Sequence, residues 1–179
     1  MAREREYELA MLDKTKATPE MILSGALDEE IKARMDFVIK KESPIRRSLL
    51  YKRTINSFSL MKVGSRLAEK LDSIAMSIEA DRIEEDGESV FIAFECSYYR
   101  PTPDSEIRYS YQIPYIEGAN CLLDILENGG KASYTQKELS RLFSERMGYQ
   151  KLGGKVLELF RKSLKDPRIK ISKNGRVQS

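Results

Sequence analysis

Apolar residues recur along this chain at two periods. Steps of three and four mark helices, and steps of two mark strands. Leu27, Ile31, Met35 and Val38 predict a helix over 27–41. Val63, Leu67, Leu71, Ile74 and Ile78 form a second apolar stripe, and Leu152, Val156, Phe160 and Leu164 form another. Ser43-Pro44 reads as a helix start, a capping hydroxyl followed by proline at the first helical position. Thr135-Gln136-Lys137-Glu138 reads as a capping box. Behind it Leu139, Leu142, Phe143 and Met147 share one face until Gly148 ends the helix, and a shorter helical stretch from Cys121 to Leu126 stops at Gly129-Gly130.

Two of these stripes carry nearly the same phrase. KVGSRLAEKL begins at 62 and KLGGKVLELF at 151, 89 positions on. Downstream, Ile83 with Asp86-Gly87 matches Ile171 with Asn174-Gly175 at an offset of 88, and both dipeptides are two-residue hairpin signals. Each unit therefore reads helix, helix, short turn, helix, hairpin, which is the order of a winged helix-turn-helix. Between the units the period changes. Val90, Ile92, Phe94, Cys96 and Tyr98 alternate with their neighbours, as do Ile107, Tyr109, Tyr111 and Ile113, with RPTPDS at 100–105 as a loop between. The expected fold is α+β: tandem winged helix-turn-helix units joined by an antiparallel β-ribbon. An extension over 1–27 precedes a first unit at 28–99, a linking segment at 100–118 and a second unit at 119–179. The tyrosines of the linking strands read as packing residues, with a base-stacking platform as the alternative.

A length of 179 residues fits one domain or two small ones, and 41% apolar residues suffice for real cores. No run approaches the roughly 20 apolar residues of a membrane span, and MAREREYELAMLDK lacks a secretory pattern, so a cytoplasmic protein is expected. Cys96 and Cys121 sit in apolar contexts without a CxxC pattern and read as free, buried thiols. The chain has no histidine, which removes Ser-His-Asp and Cys-His catalysis and the common zinc sites. Pro19-Glu20 with Glu30-Ile31-Lys32 mimics the carboxylate-and-lysine set of metal-dependent nucleases, but Glu30 and Lys32 fall within a helical pattern and read as a solvated face. No metal, cofactor or catalytic residue is expected.

Charge, unremarkable as a total of +3, is segregated along the chain. Residues 1–39 carry −3, 40–78 carry +6, 79–130 carry −9 and 131–179 carry +9. Lysine and arginine thus gather on the second and third helices of both units and on the second hairpin, where a winged helix meets phosphates. Lys62 and Arg66 match Lys151 and Lys155, opposite the apolar stripe. Lys162, Arg168, Lys170, Lys173 and Arg176 complete the candidate DNA-binding set. Ser65 and Gly154 leave the first turn of each third helix uncrowded, for a phosphate oxygen or for close helix packing. The first hairpin instead carries Glu84, Glu85, Asp86 and Glu88.

The stretch VIKKESPIRRSLLYKRTINSFSLMKVGSRLAEKLDSI at 38–74, the IPYIE at 113–117 and the KLGGKV unit resemble an uncharacterised winged-helix domain near the C-terminus of very large bacterial superfamily I helicase-like proteins. The similarity spans roughly 30–177. In that family the domain follows the helicase motor and a module similar to very-short-patch repair endonucleases. Tryptophan is common in its linking strands, where Phe94 and tyrosines stand here. The resemblance implies an accessory domain of a DNA-processing machine and assigns no catalytic residues. The chain has no Walker-type phosphate loop, so it is not itself the motor. The functional expectation is a non-catalytic domain binding duplex or junction DNA through the phosphate backbone, with weak sequence preference, alongside helicase and nuclease modules of a larger protein. The alternative is a winged-helix module that binds protein.

Overall fold

In the computed structural model, which describes residues 2–104 and 107–179, the chain packs as two compact units. The first is Glu8–Glu95; the second joins the residues up to Tyr7 with Cys96–Ser179. Strand β1 (Arg3–Glu4) belongs to the second unit. The first unit then holds α1 (Pro19–Leu23), α2 (Asp28–Glu42), β2 (Ile45–Arg46), α3 (Arg47–Ser57), α4 (Ser65–Ala75), β3 (Asp81–Glu85) and β4 (Glu88–Ile92). The second resumes with β5 (Tyr98–Tyr99), a 3-10 turn (Ser110–Gln112), α5 (Tyr115–Asn128), β6 (Tyr134–Thr135), α6 (Gln136–Arg146), α7 (Gly154–Ser163), β7 (Lys170–Ile171) and β8 (Arg176–Gln178). The architecture is mixed α+β.

Both units place the returning hairpin strand at the centre of a three-stranded antiparallel sheet, in the orders β2-β4-β3 and β6-β8-β7. Ile45 and Arg82 flank Phe91, and Tyr134 and Ile171 flank Val177. The equivalent pairs Ile45/Tyr134, Gly64/Gly153 and Arg82/Ile171 all lie 89 positions apart. The textual repeat is thus a repeat of element order and strand pairing, and the spacing holds into the first hairpin strand. Register replaces the expected match of Ile83 with Ile171 by Arg82 with Ile171, because the hairpins differ in length. Asp86 (φ +53°) and Gly87 (φ +77°) make a two-residue turn. In the second hairpin the Ser172 N–H donates to the Arg176 carbonyl around three residues, with Gly175 at φ +76°, where two had been expected.

Each unit has its own core. Leu67, Leu71 and Ile74 of α4 meet Ile31, Met35 and Val38 of α2 and Leu50 of α3. Val156, Leu159 and Phe160 of α7 meet Leu122 and Ile125 of α5, Phe143 of α6 and Val177 of β8. Phe143 and Phe160 lie edge-tilted, with centroids 5.7 Å apart. Segment 8–27, read as an extension, contributes Ala10 and Ile22 to the first core, which ties it to that unit.

Three expectations are corrected. The helix after Ser43-Pro44 begins at Arg47, because the Ser43 hydroxyl accepts the Ala93 N–H (2.8 Å) and Ile45–Arg46 are extended against β4. The helix expected over 121–126 runs from Tyr115 to Asn128. The linking antiparallel ribbon is absent among the described residues: β5 pairs in parallel with β1, and 110–112 form a 3-10 turn. Alternation there tells which side chains turn inward without requiring a ladder. The expected loop at 100–105 has no regular structure over 101–103, and Ser105 lies outside the described residues. The capping box is as read, with Thr135 accepting from Glu138 N–H while Glu138 accepts from Thr135 N–H (2.9 Å). That backbone bond, the Thr135 hydroxyl and Lys131 hold the Glu138 pKa down to about 2.

Candidate nucleic-acid interface

The first turns of α4 and α7 are built alike. Each helix is entered through glycine, Gly64 at φ −78°, ψ 168° and Gly153 at φ −79°, ψ 168°, and neither has a side-chain cap. A Cβ added at Gly64, Gly153 or Gly154 meets nothing within 4 Å among the described residues. Close packing therefore does not account for these glycines. They leave the leading N–H groups of each helix open to solvent, the arrangement that receives an anion.

What surrounds these turns differs between the units. In the first, most basic residues of 40–78 are already neutralised. Arg46, buried, meets Glu85 at 2.9 Å and Glu88 at 3.7 Å. Arg47 meets Asp72 (3.4 Å), Arg53 meets Glu42 (3.2 Å) and Lys70 meets Asp28 (2.7 Å). Lys40 pairs with Asp36, and Lys41 with Glu8. Lys62 and Arg66 are exposed on either side of the Gly64 entry with no carboxylate at salt-bridge distance among the described residues; the Glu20 carboxyl is held below its usual range chiefly by its own backbone N–H and the Thr18 hydroxyl, with Arg66 adding least. The acidic hairpin is partly structural: Glu85 is buried on Arg46, and Glu88 accepts the Ser48 N–H at the start of α3 (2.7 Å).

In the second unit the positive charge outruns its partners. Lys151, Lys170 and Lys173 are exposed, without a carboxylate at salt-bridge distance among the described residues. Lys137 and Arg141 on α6, with Arg161 and Lys165 at the end of α7, are in the same state, and only their helical faces hinted at them in the sequence. Lys155 on the first turn of α7 is exposed and meets Glu158 at 3.0 Å, a surface pair that costs little to exchange for a phosphate. Three candidates are engaged by neighbouring groups. Arg168 is bidentate on Asp166 (2.8 and 2.9 Å). Arg176 donates to the Ser133 hydroxyl (2.7 Å) and carbonyl (2.9 Å), tying the hairpin to the segment before β6. The Lys162 ammonium lies over the Tyr115 ring at 5.7 Å.

A buried charge cluster escaped the sequence reading. Arg100 and Arg108 both clasp Glu117, which is fully buried on α5. Arg100 reaches it through Nε (3.0 Å) and a terminal nitrogen (2.9 Å), and Arg108 through both terminal nitrogens at 2.6 Å. Burial opposes the ionised carboxyl, but the two guanidiniums outweigh it and hold Glu117 well below the ordinary carboxylate range. The signal available was phase: in 107–111 it is Arg108 and Ser110 that are buried, while Ile107, Tyr109 and Tyr111 face solvent. Tyr98 and Tyr99, by contrast, are packing residues, as read. Cys121 is buried, Cys96 half-buried, and both thiols are free. Burial pushes Cys96 up to about 11, so it stays protonated at neutral pH. Glu30 of the nuclease-like pattern is occupied by Arg34 at 2.5 Å on α2.

Among the described residues no helix is long and apolar enough to cross a membrane, and no cluster of His, Cys, Asp or Glu is suited to a metal ion. Comparison with protein-family models, with curated proteins and with solved structures gives no match to this chain.

Proposed function

We propose that the two units are winged helix-turn-helix modules and that the second binds DNA through its phosphate backbone, without catalysis. The observation that carries this reading is the contrast in neutralisation: carboxylates hold most basic residues of the first unit, Lys62 and Arg66 excepted, while Lys151 before α7 and Lys170 and Lys173 of the second hairpin have none at salt-bridge distance among the described residues. Helices, hairpin and central return strand in the order found here support the winged reading. An uncapped, sterically open α7 entry beside Lys151 and Lys155 suits a phosphate oxygen. Lys170 and Lys173 on and at the tip of the hairpin add two further cationic contacts of the kind a wing makes.

The test is fluorescence anisotropy of a labelled blunt duplex with the whole chain at low salt. Lys151, Lys155, Lys170 and Lys173 are changed together to glutamine. Wild type binds and the quadruple variant, still folded by circular dichroism, does not. Absence of binding by wild type would remove the proposal and favour a protein-docking role, for which the acidic 79–130 segment would suit a basic partner. The same preparation with Mg²⁺ or Mn²⁺ leaves plasmid intact; cleavage lost on Glu30→Ala would overturn the non-catalytic part.

A further inference from the structure

Resting on that reading, we infer that the ridge Ile107–Tyr109–Tyr111 is a stacking platform for unpaired nucleobases, so that the second unit prefers duplex adjoining single strands over blunt duplex. Tyr109 and Tyr111 stack on each other with centroids 5.5 Å apart and planes 15° from parallel. They remain 50% and 63% exposed, and Ile107 is 67% exposed. A parallel ring pair open to this extent leaves a π-face for a base, and every base has one to offer.

The ridge is fixed from beneath. Arg108, between Ile107 and Tyr109, is anchored on Glu117 and on the Arg100 carbonyl (2.7 Å). Its own carbonyl accepts from the Tyr149 hydroxyl (2.8 Å) and the Thr102 hydroxyl (3.2 Å), and the Tyr109 N–H donates to the Gln112 side chain (3.1 Å). Little conformational freedom remains to be lost when a base docks. The 3-10 turn bearing Tyr111 packs against α7, the helix assigned to phosphates, and Tyr149, two residues before Lys151, bonds the ridge backbone, so the ridge and the phosphate contacts belong to neighbouring parts of one unit. That basic neighbour favours nucleic acid over a protein partner as the occupant.

The probes are a roughly 20-bp duplex with blunt ends and the same duplex with two unpaired arms of about ten thymidines. Both are titrated with the whole chain at about 50 and 200 mM salt. Wild type binds the fork roughly tenfold tighter than the blunt duplex, the increment expected from stacking about one base. Tyr109→Ala with Tyr111→Ala brings the fork down to blunt level by the same factor at both salts and leaves blunt binding unchanged. Tyr109→Phe with Tyr111→Phe keeps the preference and quenches a 2-aminopurine placed in the arm. Equal binding of fork and blunt duplex by wild type, or a preference that survives the alanine pair, overturns the platform while leaving the phosphate reading in place. Loss of blunt binding in the alanine pair makes the ridge merely structural. Failure of wild type to bind either probe removes both inferences and marks the ridge as a protein contact.

Discussion

Arg108 delivers both terminal guanidinium nitrogens to the Glu117 carboxylate at 2.6 Å, in a site where neither side chain reaches solvent appreciably. Arg100 occupies the same carboxylate, so one negative charge faces two positive ones. Such a cluster is costly to desolvate and still more costly to break, since removing one partner strands buried charge.

Acid should therefore act on the second unit through Glu117. Its folded pKa is depressed to about 2 against an ordinary 4.5, so its contribution is complete above the ordinary value and is lost as pH falls toward about 2. Thermal melts monitored by circular dichroism between about pH 6 and 2 should show a fall in Tm over the lower part of that range. Glu117→Gln should cost about 3–5 kcal/mol at neutral pH and flatten the acid limb. A variant as stable as wild type would contradict the cluster's role.

In the first unit, Glu85→Gln removes the nearer carboxylate from the buried Arg46 guanidinium and leaves Glu88 at 3.7 Å. The expected loss is up to about 3 kcal/mol, read by urea unfolding, with duplex affinity unchanged because this hairpin is not assigned to DNA.

Gly148 follows α6 at φ +79°, and a Cβ there would stand 2.7 Å from the Thr102 carbonyl oxygen. Gly148→Ala should destabilise by more than about 1 kcal/mol, whereas Gly153→Ala, an N-cap in open space at φ −79°, should cost roughly 0.5 kcal/mol, from the poorer capping of alanine alone. Similar Tm losses from the two would contradict the structure at this turn.

Duplex binding should distinguish the two units. Lys151→Ala with Lys155→Ala, or Lys170→Ala with Lys173→Ala, should weaken binding and lower the salt slope by roughly two per pair. Lys62→Ala with Arg66→Ala should do less, since the adjoining hairpin is acidic. Equal losses would mean that DNA engages both units.

The helical stripes, the Thr135–Glu138 box and the repeat were legible because they are local: three to four residues fix each periodicity, and Gly64 and Gly153 occupy the same place in it. Charge state was not legible. Arg46 and Lys170 look alike in sequence, yet a residue 39 positions away neutralises the first, and none among the described residues does so for the second. Nor was the phase of 107–111, because an arginine facing inward makes sense only once Glu117 of α5 is seen to receive it. The mistaken ribbon has the same origin, for alternation at Ile107, Tyr109 and Tyr111 fixes a side and not a partner strand.

The most direct test of the central claim is the salt dependence of duplex binding by the whole chain. If Lys151, Lys155, Lys170 and Lys173 each neutralise one phosphate, log affinity plotted against log salt should fall with a slope of about −3.6, from about −0.9 per contact. A slope near zero, or no binding at low salt, would contradict phosphate recognition by the second unit.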